Sequence, residues 1–404
     1  MKKVKLGDIL EVKRGTTLAG KYYSTCGEKI RLTLGNFNYP GGGFKTNTSK
    51  TNIFFNGPVN RKFILNKGDI ITPLTEQVSG LLGETARIPE SGKYIQSGDI
   101  ALIVPIKGKL DSSFAYYLIS SLSVKKQLGA AAQQTKIRHT TPDKIKQCEV
   151  WIPELYKQKK IGKILDLLDS KITNNEAIAQ QLELMIKTIY DYWFLQFEFP
   201  NLEGKPYKSS GGKMVWNEEL KLEIPVEWDS AKLKDIIIEN PKSKVKVSDV
   251  INDGEIPFFT SGADILETSK SMVSGMNCYL NTGGVADVKY YYGEASYSTD
   301  TWCITAKGDM KYILPFVLDK IKPSMDKVFF QGTSLKHLQK NLLRDYQLCI
   351  PDSNVVKNFV QIAHNIFLQQ HNLLKENKKL KSLKQFLLPL LMNGQVTVSE
   401  NEQF

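Results

Sequence analysis

The apolar positions of this 404-residue chain follow two kinds of pattern. From Ile161 they step alternately by four and three through Leu165, Leu168, Ile172, Asn175, Ala179, Leu182, Ile186, Ile189 and Trp193. A seam of that period over more than four heptads predicts one long amphipathic helix. A second seam runs through Phe359, Ala363, Ile366, Gln370, Leu373, Asn377, Leu380, Lys384, Leu387 and Leu391, with Gln370, Asn377 and Lys384 as polar breaks. A helix of about 35 residues is about 50 Å long, and alone it cannot cover its apolar stripe. The economical partner is the other helix. A whole module of chain separates the two, so antiparallel pairing is expected. Leu165, Leu168, Ile172, Asn175, Leu182 and Ile186 would face Ile366, Leu373, Asn377, Leu380 and Leu387, with Asn175 and Asn377 setting register. The alternative is that each helix packs on its own module.

Residues 1–150 read differently. Short runs at 29–34, 63–65, 69–71 and 99–105 are strand-like and separated by Gly, Asn and Pro. Gly68-Asp69 and Gly98-Asp99 predict turns that feed strands. Residues 113–120 have the spacing of a short amphipathic helix. Each module is therefore expected to be α+β with a mainly antiparallel or mixed sheet.

The chain also repeats itself. Gln133-Gln-Thr135-Lys136-Ile137-Arg138-His139 returns 198 residues later as Gln331-Gly-Thr333-Ser-Leu335-Lys336-His337. The match continues through Val150-Trp-Ile152-Pro153 and Leu348-Cys-Ile350-Pro351 into both helices. Lys5-Leu6-Gly-Asp8-Ile9 returns as Lys232-Leu233-Lys-Asp235-Ile236, at an offset of 227. The order is module, helix, module, helix. The modules share their edges and differ in their middles, as one scaffold presenting two recognition surfaces would. The expected boundaries are a first domain at 1–153, a helix at 154–196, a connector at 197–228, a second domain at 229–351, a helix at 352–394 and a tail at 395–404. Pro, Gly and Ser mark 197–214 as connector.

Charge sharpens the picture. Residues 1–150 hold 23 Lys and Arg against 11 Asp and Glu, whereas residues 229–350 hold 15 of each. A basic first module attracts a polyanion by counterion release. Any such role for the second must come from local arrangement. The five scattered cysteines lack a CxxC, which argues against a disulfide framework or a zinc ribbon. The N-terminus has no signal-peptide run and no stretch has the length of a membrane span, so a soluble, cytoplasmic protein is expected. No phosphate-binding P-loop, dinucleotide fingerprint, HExxH or paired-carboxylate spacing occurs. Asn240-Pro241-Lys242-Ser243 lacks the aromatic an amino-methyltransferase turn needs. His364 and His371, seven apart on a helix, read as a solvated or helix-contacting face. The chain reads as non-catalytic, with no cofactor or metal of its own.

Nucleic-acid chemistry is better represented. The repeated Gln-x-Thr segment sets amide, hydroxyl and cation together, as adenine, guanine and phosphate contacts require. It points to Gln133, Lys136, Arg138, Gln331 and Lys336, with Ile137 and Leu335 anchoring it in the core. For Thr135 and Thr333 a shared structural turn is an equal reading. In the first module Lys13, Arg14, Lys45, Asn47, Lys50, Arg61 and Lys62 lie on expected loops. In the second, Lys242, Lys244, Thr260, Ser261, Lys289, Tyr291, Thr299 and Asp300 form polar and aromatic clusters. The Tyr290-Tyr291-Tyr292 run fits alternating sheet core equally well.

At this point the order of motifs resembles that of the specificity (S) subunits of type I restriction–modification systems, over nearly the whole chain. The resemblance rests on the Lys-Leu-x-Asp-Ile openings, the Ile-Pro closings and the helix after each. The connector residues Phe197-Glu-Phe-Pro200, Gly204-Lys205-Pro206-Tyr207 and Gly211-Gly212 add to it. So do Ile256-Pro257-Phe258-Phe259-Thr260-Ser261-Gly262 and Tyr297-Ser-Thr-Asp300-Thr-Trp302. It implies two target-recognition domains joined by two long antiparallel coiled-coil helices, and double-stranded DNA as ligand. It also implies two methyltransferase (M) subunits that bind S-adenosylmethionine, and optionally two endonuclease/translocase (R) subunits using ATP and Mg. The polar second seam departs from the pattern and is expected either to weaken the coil or to mark subunit contacts. Three rivals remain at this level. They are a stand-alone nucleic-acid-binding regulator, a self-contained restriction–methylation enzyme, and a purely structural coiled coil.

Overall fold

The computed structural model describes residues 1–39, 41–76, 78–131, 138–252, 254–333 and 335–396. The chain divides into two compact units. One holds residues 1–173 with 378–404, and the other residues 174–377. Each unit thus contains one module and a stretch of both long helices, and the division falls inside the helices rather than at the expected module edges.

The duplicated edge motifs fold identically. In the first unit Lys2–Lys5 pairs antiparallel with Glu149–Ile152. In the second, Asp229–Lys232 pairs with Gln347–Ile350. Asp8 and Asp235 each accept the backbone N–H three residues back at 3.2 Å. Leu6 and Leu233 are fully buried, and each donates its N–H across the frame at 2.9 Å, to Cys148 and Tyr346 respectively. The repeated leucine plugs the core while the repeated aspartate caps the turn beside it, so the motif is structural.

The dissimilar middles share a topology that the sequence did not disclose. The first unit has a four-stranded antiparallel sheet in the order Leu10–Arg14, Ile100–Pro105, Ile70–Pro73, Ala86–Arg87. The second has Ile237–Glu239, Thr301–Ala306, Met276–Asn281, Val288–Tyr292 in the same order. Each also carries a smaller mixed sheet. Ile30–Arg31 runs parallel to Tyr94–Ile95 in one, and Ile256–Phe259 runs parallel to Ser296–Tyr297 in the other. Helix Ser112–Ile119 supplies Phe114, Tyr117 and Leu118 to the first core, and helix Leu314–Val328 supplies Phe316, Leu318 and Met325 to the second.

The long helices are Leu155–Tyr190 and Ser353–Met392. They pair antiparallel within each unit. In the second, Asn175 donates to the Asn377 side-chain oxygen at 2.9 Å, both residues being buried, and Gln370 donates to the Ala179 carbonyl at 3.1 Å. In the first, Lys384 binds Asp169 at 2.6 Å. The polar breaks of the second seam are therefore partnered on the first helix. Pairing and packing on modules are also not alternatives. Ile161, Leu165, Leu391 and Met392 belong to the first module's core, with Leu168 and Leu387 against it. Ile186, Phe359, Ala363 and Ile366 belong to the second, with Leu182 against it. Ile172 is buried, and Leu373 and Leu380 are half-buried.

Asp166 and Asp169 lock the first module to the helices. Asp166 accepts from Ser113 at 2.5 Å and from Tyr117 and Arg87 at 2.8 Å, and Asp169 accepts from Tyr117 at 2.8 Å. Burial, then the two carboxylates, push the Tyr117 phenol far above its usual range, so it stays a donor. The expected connector is more than a linker. Phe199 stacks on Tyr207 and Trp228 at 4.6 and 5.3 Å, and Met214–Asn217 forms a hairpin with Leu222–Pro225.

Candidate nucleic-acid interface

In the second module, candidates far apart in sequence lie on loops bonded to one another. Ser261 donates to the Asp300 carbonyl, which also receives the Thr282 hydroxyl at 2.9 Å. Leu338 donates to the Thr282 carbonyl at 3.1 Å, Gly284 to that of Lys336 at 3.0 Å, and Thr299 to that of Val245 at 3.0 Å. Gln331 pairs with His337. The loops around 242–246, 260–262, 282–284, 299–300 and 336–338 thus form one continuous polar rim. On it Lys242, Lys244, Asp300, Gln331 and Lys336 are exposed, and Ser261 and Thr299 are half-buried. Lys336 also donates to the Asp326 carbonyl at 3.2 Å.

Three candidates hold the rim from behind. The Thr260 hydroxyl, buried, donates to the Asp264 carbonyl at 2.7 Å. Lys289 donates to the carbonyls of Thr260, at 3.0 Å, and Gly262, and lies 3.6 Å from Asp287. Tyr291 shares a 3.1 Å hydrogen bond with His371, while Tyr290 and Tyr292 lean on Phe367 and His364. The tyrosine run is therefore packed against the second long helix, and both histidines are helix contacts. Leu335 corrects an expectation: it is 57% exposed and anchors nothing. Its counterpart Ile137, like Gln133 and Lys136, lies outside the described residues.

The first module gathers its cations differently. Arg14 donates to the Gly98 carbonyl at 2.9 Å. Gln96 donates its side-chain amide to Lys13 at 2.7 Å and its backbone N–H to Phe63 at 2.8 Å. Gln96 thus joins the Lys13 strand to the turn that carries Arg61 and Lys62; Lys13 lies 3.0 Å from Glu11. Lys45 and Lys50 are exposed on another loop. Asn47 is buried in that loop, its amide spent on Thr33 at 2.8 Å and on Ser49. Arg138 lies 3.4 Å from the buried Glu76, which also accepts the N–H groups of Gly80 and Leu82.

Sequence reading missed a group beside the second rim: Glu239, Trp302, Lys340 and Arg344. No local motif marks it, because its members come from three separate segments, two strands and the helix Lys340–Arg344. Among the described residues no cluster of three or more His, Cys, Asp or Glu could hold a metal, and no helix is long and apolar enough to cross a membrane.

Two modules of one topology carry unlike polar rims and share an antiparallel helix pair. That architecture is a duplicated α+β scaffold on a helix pair. Residues 1–184 match the family model described as type I restriction modification DNA specificity domain. The specificity subunit of the type I restriction enzyme MjaIX from Methanocaldococcus jannaschii is 24% identical over 324 residues, covering 74% of this chain and 72% of that one. The crystal structure of a type I restriction–modification S subunit from M. genitalium shares the fold, with a TM-score of 0.61 at 14% identity over 97% of this chain and 96% of that one. Over its first 184 residues the chain is thus similar to type I restriction–modification specificity domains, and as a whole it has the fold of an S subunit.

Proposed function

We propose that each module reads a few base pairs of double-stranded DNA in a major groove, so that the target is bipartite and asymmetric. The observation that carries this reading is one topology repeated with unlike rims, since unlike readers recognise unlike half-sites. The helix pair acts as spacer; reading one face of B-DNA places the half-sites about 34 Å apart. The helices' outward faces would carry two methyltransferase subunits, each over an adenine that leaves the stack for N6 methylation. Where two endonuclease/translocase subunits join, the same recognition directs cleavage. S-adenosylmethionine, and ATP with Mg for the nuclease, would be bound by those partners in the cytoplasm.

The test is to insert one heptad into each helix at matched positions and map N6-methyladenine. The insertion adds about 10 Å, about three base-pair steps at the 3.4 Å rise of DNA. A lengthened unread spacer between unchanged half-sites is expected. An unchanged spacer would overturn the ruler.

A further inference from the structure

The second module has no net charge with which to hold a polyanion, yet it concentrates cations at one point. Trp302, buried in the central strand, donates its indole N–H to Glu239 at 2.9 Å. Lys340 Nζ lies 4.9 Å from the centre of the Trp302 ring, and the Arg344 guanidinium 5.7 Å from it. Arg344 is committed to Glu239, at 2.6 and 2.8 Å. Lys340 is half-buried, and among the described residues no carboxylate lies within ion-pair distance of it. Burial lowers its pKa, and Arg344 and Lys242 lower it further against the opposing pull of Glu239. Two cations, Lys340 and Arg344, thus meet at the Trp302 ring, and Lys242 follows Glu239 by three residues along the chain. A lysine desolvated among like charges is poised for an anion, because an anion would supply the missing neutralisation.

Position says which anion. Trp302 follows Asp300 and Thr301, and Lys340 follows Leu338, so the cluster borders the rim tied together by Thr282, Asp300 and Leu338. Among the described residues of the first module, three of the four corresponding positions differ in chemistry. At the repeat offsets Glu239 corresponds to Val12, Lys340 to Pro142 and Arg344 to Lys146, and by strand register Trp302 corresponds to Ala101. The first module, with its excess of basic residues, has less need of such a device.

We propose that Lys340 and Lys242, backed by Trp302 and Arg344, form a clamp for a DNA backbone phosphate, positioning the second module so that its rim meets base edges. The proposal rests on the DNA-reading function above. Phosphate contacts position a protein on DNA without reading its sequence.

The test measures equilibrium binding of the full-length chain to two duplexes of unrelated sequence across a salt series. K340Q and K242Q are each expected to flatten the plot of log affinity against log salt by about 0.9, and the double variant by about twice that. The loss should be equal on both duplexes, and K340R should keep the original slope. An unchanged slope in the double variant would overturn the clamp. So would a loss confined to one duplex, which means base reading, or an equally flat slope in K340R, which means a structural defect. Failure of the unaltered chain to bind either duplex would instead remove the DNA-reading function itself, and the clamp with it.

Discussion

A single polar residue in an apolar seam is costly unless matched, and Asn175 is matched by Asn377. Replacing Asn175 alone with Leu removes the donor to both Asn377 and Glu376, at a cost of about 1–3 kcal/mol. Replacing both with Leu should restore part of that stability, because two apolar side chains then meet in the seam; thermal unfolding of the single and double variants checks this. The cysteines behave as individuals as well. Cys26 is exposed. Burial raises the Cys148 thiol to about 11 and Cys303 and Cys349 to about 12, and it holds Cys278 well above its ordinary value. A thiol reagent near neutral pH should therefore modify Cys26 first and the others chiefly on unfolding. The raised values also set a sign. The unfolded thiols ionise near 9, so their contribution to stability is complete below that pH and is lost as pH rises toward 11 to 12. Urea midpoints should fall between about pH 8 and about pH 10. Of the residues picked as DNA contacts, those on exposed loops were legible as surface groups, because polar chemistry and exposure coincide there. Asn47, Thr260, Lys289 and Tyr291 were not, since sequence shows an amide, hydroxyl or ammonium group without showing that a neighbouring loop already uses it.

At the scale of the element, the long helices were readable because a heptad seam is local information repeated many times. Their contacts with the modules were not. Gly162 is an example: a Cβ there would stand 2.8 Å from Ser113 Cβ and 2.9 Å from Phe114 N, so the helix can approach the first module only as glycine. Gly129 sits in helix Leu122–Ala131 with open space around its missing Cβ. Gly129→Ala should raise the melting temperature, by the gain of about 1 kcal/mol that alanine brings to a helix. Gly162→Ala should lower it despite the same local gain. Equal shifts for both would show that the helix–module approach imposes no constraint. The connector teaches the same lesson from the other side. Its Pro, Gly and Ser content reads as linker, but Phe199, Tyr207 and Trp228 find one another only after folding.

Over the whole molecule, charge is distributed unequally between two modules of one topology. The first carries a general excess of basic residues, and the second a local knot of cations. The helix pair is common to both units, so lengthening one helix alone should separate Asn175 from Asn377 and destabilise the chain, whereas matched insertions preserve their pairing. By itself the sequence determined the long helices, the duplicated frame and the family resemblance, because periodicity, edge motifs and motif order are written along the chain. Only the tertiary structure decided that the unlike middles fold alike, that the polar seam residues are satisfied across the helix pair, and that Lys340 meets Trp302. Those facts depend on which distant segments become neighbours, and burial and hydrogen-bond satisfaction acquire values only once that is settled.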